Sequence, residues 1–291
     1  MLRPFLVLFA CVLISEISMA QTKEQIDSLE KEFLKVIKNS PPPPDSILRK
    51  KRMMYDEPRT PDTLHFSNIP AYKVKTFPSI FERAFFKGTK NIEDSMELEF
   101  YSVDIGMIQI ESGKIIACDP IVMGDMRPFV QIFPMGKFPV QLAIARIRGD
   151  ERTAFSRIYF SQAPVVKWEF ALDSGKKQLP IGGEHMYGYG VDGGIGLFID
   201  AKANQAFSAL RAKDEDLWEK VFVRGMHEHT TWEYTVFQFG DHNLASFSTG
   251  FGDGSYATYV GYDAGGRPCR LLTDFGLIGW WRRSGTSGDT Q

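Results

Sequence analysis

Ten apolar residues run unbroken from Phe5 to Ile14. Arg3 precedes them, and the small, polar stretch Ser15–Ala20 follows, with Ser18 and Ala20 at the two positions a signal peptidase reads. This is the three-part secretory pattern. A spanning helix needs about 20 apolar residues, so the run predicts a cleaved leader over residues 1–20. The mature chain then starts at Gln21 and is secreted or periplasmic. Leu8-Phe9-Ala10-Cys11 is loosely like a lipoprotein box, but it would leave an apolar core below the usual length of about 7–15 residues. No later stretch approaches spanning length, so no membrane span is expected.

The next pattern is helical. Ile26, Leu29, Phe33, Val36 and Ile37 share one face over residues 22–38, and Thr22 with Gln25 has capping-box spacing. Pro41–Pro44 end it. Residues 21–40 thus read as an amphipathic helical arm and 41–60 as a proline-rich, basic linker. The arm's apolar stripe calls for burial, either back on the body or against a protein partner. Residues 61–283 read as one β-rich domain, and the Gly/Ser/Thr-rich residues 284–291 as a disordered tail.

Within that domain a short helix is expected over Ser79–Phe86. Glu97–Ile110 reads as strand, and Lys114–Cys118 as its hairpin return around Glu111–Lys114. Strands are further expected at Phe138–Arg148, Thr153–Phe160, Val165–Leu172, Thr231–Phe239, Leu244–Thr249, Ser255–Tyr262 and Arg267–Thr273. Asp200 is placed to cap a helix over Ala201–Ala212, and Asp214 a second over Glu215–Val223. The predicted class is α+β: a mainly antiparallel β-sheet body with a few helices and the N-terminal helical arm.

Composition sharpens this picture. The 23 Phe, 10 Tyr and 26 Gly favour strands and tight turns. A net charge of −2, with Arg49–Arg52 as the one basic cluster, lacks the electrostatic footprint of nucleic-acid binding. Cys118 and Cys269 remain after leader cleavage, and their pairing is open, since sequence does not show whether their Cβ atoms meet.

Four glycine- and aspartate-rich patches carry a family likeness: Ser112–Pro120, Phe133–Leu142, Gly190–Asp200 and Ser248–Tyr256, the last leading on to Gly261-Tyr262-Asp263 and Thr273-Asp274-Phe275. Together they resemble the domain-of-unknown-function family 4241, over about residues 96–278. The resemblance implies bacterial relatives and no settled biochemical activity. Phe251 stands where that family's pattern leads one to expect tryptophan.

Candidate chemistry rests on carboxylates and imidazoles. Asp192, Asp253 and Asp274, with Asp119, are candidates for acid–base work or for a hard cation if they share a cleft. Turn duty is the favoured reading of each, because Asp accepts backbone hydrogen bonds from residues just ahead. His227 and His229 are spaced to point the same way on a strand. With His242 or His185 they could hold zinc. No cofactor motif is present: Gly188–Gly194 lacks the Lys-Ser ending of a phosphate loop, and Gly250–Gly254 lacks a central Ser. The expected function is a non-enzymatic binding or interaction domain of the envelope. The alternative is a secreted or periplasmic hydrolase using clustered aspartates, with or without a metal.

Overall fold

The computed structural model describes residues 78–93, 95–182 and 186–280. The chain divides into Met1–Ile69 and Pro70–Gln291, and every described residue lies in the second unit. The expected leader, helical arm, linker, His185 and C-terminal tail lie outside the described residues.

Among the described residues two antiparallel sheets form the body. The larger has the order β1 (Thr89–Glu93), β2 (Met96–Ile110), β4 (Gly136–Ile147), β5 (Asp150–Tyr159), β13 (Pro268–Asp274), β12 (Gly254–Tyr262) and β6 (Lys167–Phe170), with β7 (Tyr189–Val191) also pairing β12. The smaller has the order β3 (Ile115–Cys118), β8 (Ile195–Asp200), β11 (His242–Ser248), β10 (Glu233–Phe239) and β9 (His227–Glu228). Among the described residues three α-helices complete the body: α1 (Ile80–Arg83), α2 (Ala201–Arg211) and α3 (Leu217–Phe222). The mainly antiparallel class expected from the sequence is the class observed.

Alternation along the strands sets the layers. Thr258, Thr273 and Ser156 form one cross-strand row of the large sheet, on the face that meets the small sheet. Phe100, Ile108, Leu142, Phe198 and Phe247 fill the main core. The far face of the small sheet buries Leu197, Ile199 and Leu244 against Phe207 and Phe222 of the two later helices. On the far face of the large sheet, Phe81 of α1 packs edge-on to Phe155, Trp168 and Trp280. The strands β5, β12 and β13 are therefore covered on both sides, and their residues, polar ones included, are buried in near-continuous runs.

Glu82 holds α1 down. Its carboxylate accepts from Arg157 Nη1 at 3.1 Å and from Arg270 Nε and Nη2 at 3.1 and 3.2 Å. Both guanidiniums are buried, and burial lowers the Arg157 pKa to about 10. The Arg270 guanidinium also lies 3.7 Å from the Tyr159 ring centroid.

The small sheet is stapled to β2 by Asn243. Its Oδ1 accepts from Gln109 N, and its Nδ2 donates to Met107 O, both at 2.8 Å. Close approach also explains a bulge at Asp104/Gly106. Gly106 has φ +125, and a Cβ there would stand 3.3 Å from Val236 of β10.

Two local expectations are corrected. Lys114–Cys118 is not the hairpin return of β2: β3 pairs β8 in the other sheet. The edge of β2 goes to β4, whose 12 residues offer a far longer ladder. The intervening turn is pulled to β8 by Asp200, whose Oδ2 accepts from Glu111 N, Ser112 N and Ser112 Oγ. Asp200 also caps α2 as expected, accepting from Lys202 N. The second helix starts later than expected, at Leu217 with Asp216 at its N-cap position. Asp214 instead pairs with Lys220 across that first turn.

Candidate functional site

Three of the four family-like patches converge at one end of the small sheet. Asp119, at the end of β3, introduces a short 3-10 turn over Pro120–Val122. Its Oδ1 accepts from Ile121 N at 2.7 Å, and its Oδ2 from Asp192 N and Gly193 N at 2.8 and 3.0 Å. The side chain is buried, at 2 % exposure. Oδ1 therefore shapes the turn that Asp119 begins, and Oδ2 fixes that turn to the Asp192 loop.

The third loop joins on the far side of Gly194. Gly194 N donates to Asp253 Oδ1 at 3.2 Å, and Thr249 N donates to Gly194 O at 3.0 Å. Thr249 Oγ1 and Tyr256 Oη both donate to Gly252 O at 2.7 Å, closing the 249–256 loop on itself. Gly250 has φ +44, and a Cβ there would meet Leu277 at 2.8 Å and the Phe275 carbonyl at 2.9 Å, so only glycine fits. Apolar side chains crown this hydrogen-bonded base. Phe251 is 70 % exposed, Ile121 52 % and Val122 41 %. Ile121 Cδ1 reaches to within 3.3 Å of where a Gly193 Cβ would stand, and Gly252 Cα lies 3.7 Å from the same point on Gly194. The segments that carry these exposed residues therefore flank a single two-glycine saddle.

The candidate carboxylates divide between two layers. Asp119, Asp192 and Asp253 share the loop cluster, with Asp192 and Asp253 exposed. Asp274 is elsewhere. It follows Thr273 in β13 and so points to the opposite face of the large sheet. There it accepts from Gly276 N at 2.9 Å and from Trp280 Nε1 at 2.7 Å. Burial raises its pKa to about 6, against the opposing pull of those two donors.

The imidazoles are also spread out. His227 pairs with Tyr234, while His242 pairs with Phe239 at the other end of β10. Five residues along a strand separate them by about 17 Å. His229 stacks on Trp232 with ring centroids 3.8 Å apart, and His242 Nδ1 bonds Glu111. Among the described residues, no three His, Cys, Asp or Glu side chains stand close enough to share an ion. Cys118 and Cys269 are free, buried thiols on strands of different sheets.

The cleft between the sheets offers little room. It is lined by Ala117, Phe129, Tyr187, Tyr189 and Thr258, with Asp173 and Lys176 also on its wall, and its volume is about 20 Å³. That is enough for a water molecule.

The apolar crown was the feature hardest to find from sequence. Its one signal was an aromatic residue between glycines, Gly250-Phe251-Gly252, in a turn too short to return its side chain to the core.

The family model described as protein of unknown function (DUF4241) matches residues 108–273. That span contains the Asp119 loops, the Gly193–Gly194 saddle and Phe251, and it excludes α1. No curated protein and no solved structure matches the chain. Matched over more than half its length, the chain belongs to the DUF4241 family.

Proposed function

We propose that this protein is an exported, non-enzymatic interaction domain of the cell envelope, which meets its partner through the loop cluster around Phe251. The observation that carries the reading is a large aromatic side chain, 70 % exposed, on a backbone fixed by hydrogen bonds on both sides. An aromatic anchor on a rigid loop gains contact area with little loss of conformational entropy. Ile121 and Val122 extend the apolar surface across the saddle. The secretory pattern of residues 1–20 supports export.

The carboxylate geometry favours binding over hydrolysis. Acid–base catalysis needs carboxyl groups facing one substrate. Asp119 instead has both oxygens on backbone amides, and Asp274 lies behind the large sheet under Trp280. The test is a photo-crosslinking amino acid placed at position 251, with a control at Asp241 in the β10–β11 turn. Irradiated cells producing the native host's envelope should yield an adduct of defined mass from position 251 and none from 241. Equal adducts from both, or none from 251, would contradict the reading.

A further inference from the structure

The charge around the apolar crown narrows the kind of partner it fits. Asp192 and Asp253 are exposed on either side of the Gly193–Gly194 saddle, and neither has an ion-pair partner among the described residues. The Arg152 guanidinium lies 5.5 Å from the Phe251 ring centroid, but its Nε is paired with Asp150 at 2.7 Å. Its positive charge is therefore already offset. Asp125 and Arg127, both exposed just beyond Val122, bring one charge of each sign. What remains is an apolar centre of Phe251, Ile121 and Val122 with two uncompensated carboxylates beside it.

Resting on the interaction reading above, we propose that this surface binds a segment of a partner protein whose apolar residues are flanked by lysine or arginine. The apolar side chains would cover Phe251 and Ile121. The flanking cations would reach Asp192 and Asp253, which already stand at the rim where charge complementarity sets partner choice and association rate. The Asp253 carboxylate is held by the Gly194 amide, and the Asp192 main chain by its amide bond to Asp119. An acidic segment would meet like charge at both positions, so the surface also discriminates against it.

A random peptide library selected on the mature chain tests this directly. The expected winners carry apolar residues with flanking Lys or Arg, and a synthetic copy should bind with a clear salt dependence. Phe251→Ser should weaken that peptide about tenfold or more. The double variant Asp192→Asn/Asp253→Asn should weaken it several-fold and flatten the salt dependence. Thermal unfolding of each variant shows that the body is still folded. Winners with neutral or acidic flanks that still depend on Phe251 would overturn the charge assignment and leave the interaction surface standing. Winners indifferent to Phe251→Ser would overturn both. A library that yields no winner would overturn the assignment to a short linear segment.

Discussion

The carboxylate of Asp119 lies 3.0 Å from the amide nitrogen of Gly193, across a gap of 74 residues in sequence. With the adjoining bonds to Asp192 N and Ile121 N, that contact turns two loops into one unit. A charged acceptor that bonds several backbone amides holds them more firmly than a neutral one would. The exposed crown rests on this unit, so the geometry of the crown traces back to one buried aspartate.

Asp274 makes stability depend on pH in a predictable direction. Its folded pKa, about 6, lies above its ordinary value of 3.8. The native state therefore holds the proton over a range where the unfolded chain releases it. Stability falls as pH rises from about 4 to about 6, and above that the loss is constant at about 3 kcal/mol. Denaturant unfolding of the wild type and Asp274→Asn across that range measures it. The variant should gain on the wild type as pH rises, and parallel curves would contradict the prediction.

Glu82→Gln should loosen α1. It leaves Arg157 and Arg270 buried with no carboxylate between them. Removing one partner of a buried ion pair costs about 3–5 kcal/mol. Glu82 is a quarter exposed, which lowers the expectation to about 2 kcal/mol. Hydrogen exchange at residues 80–85 should rise more than in β4. Unchanged exchange there would show that Phe81 alone holds the helix.

Arg148→Asn should stabilise the protein. Arg148 and Gly149 form the two-residue turn between β4 and β5, and both have positive φ, 49 and 90. That is the geometry in which Asn-Gly is preferred and a long side chain is strained. A gain of about 0.5–1 kcal/mol is expected in thermal unfolding. A loss would mean that the Arg148 side chain makes a compensating contact.

Most of the described strands were legible in the sequence, because turn residues and apolar runs mark them locally. The turn at Asp263–Gly266 is one example: Asp263 Oδ1 accepts from Gly265 N and Arg267 N, as aspartate in a turn should. Pairing was less legible. Lys114–Cys118 follows β2 closely, yet it joins β8, because Asp200 captures the intervening turn from 88 residues away. The candidate aspartates were legible as turn residues, and Asp119, Asp192 and Asp253 do gather. Asp274 parts from them because one step along a strand reverses the face, and sequence alone does not say which face meets which sheet. The histidines were misleading for a similar reason. The spacing of His227 and His229 says nothing about His242, which the β10–β11 pairing carries to the far end.

Amide hydrogen exchange at Asp192 and Gly193, in the wild type and in Asp119→Ala, reads out the Asp119 bridge between the loops. Both amides should be protected in the wild type and should exchange at least about tenfold faster in the variant, while β4 and β5 keep their protection. Fast exchange at both positions in the wild type would mean that Asp119 does not join these loops, and the account of a fixed recognition surface would fall with it.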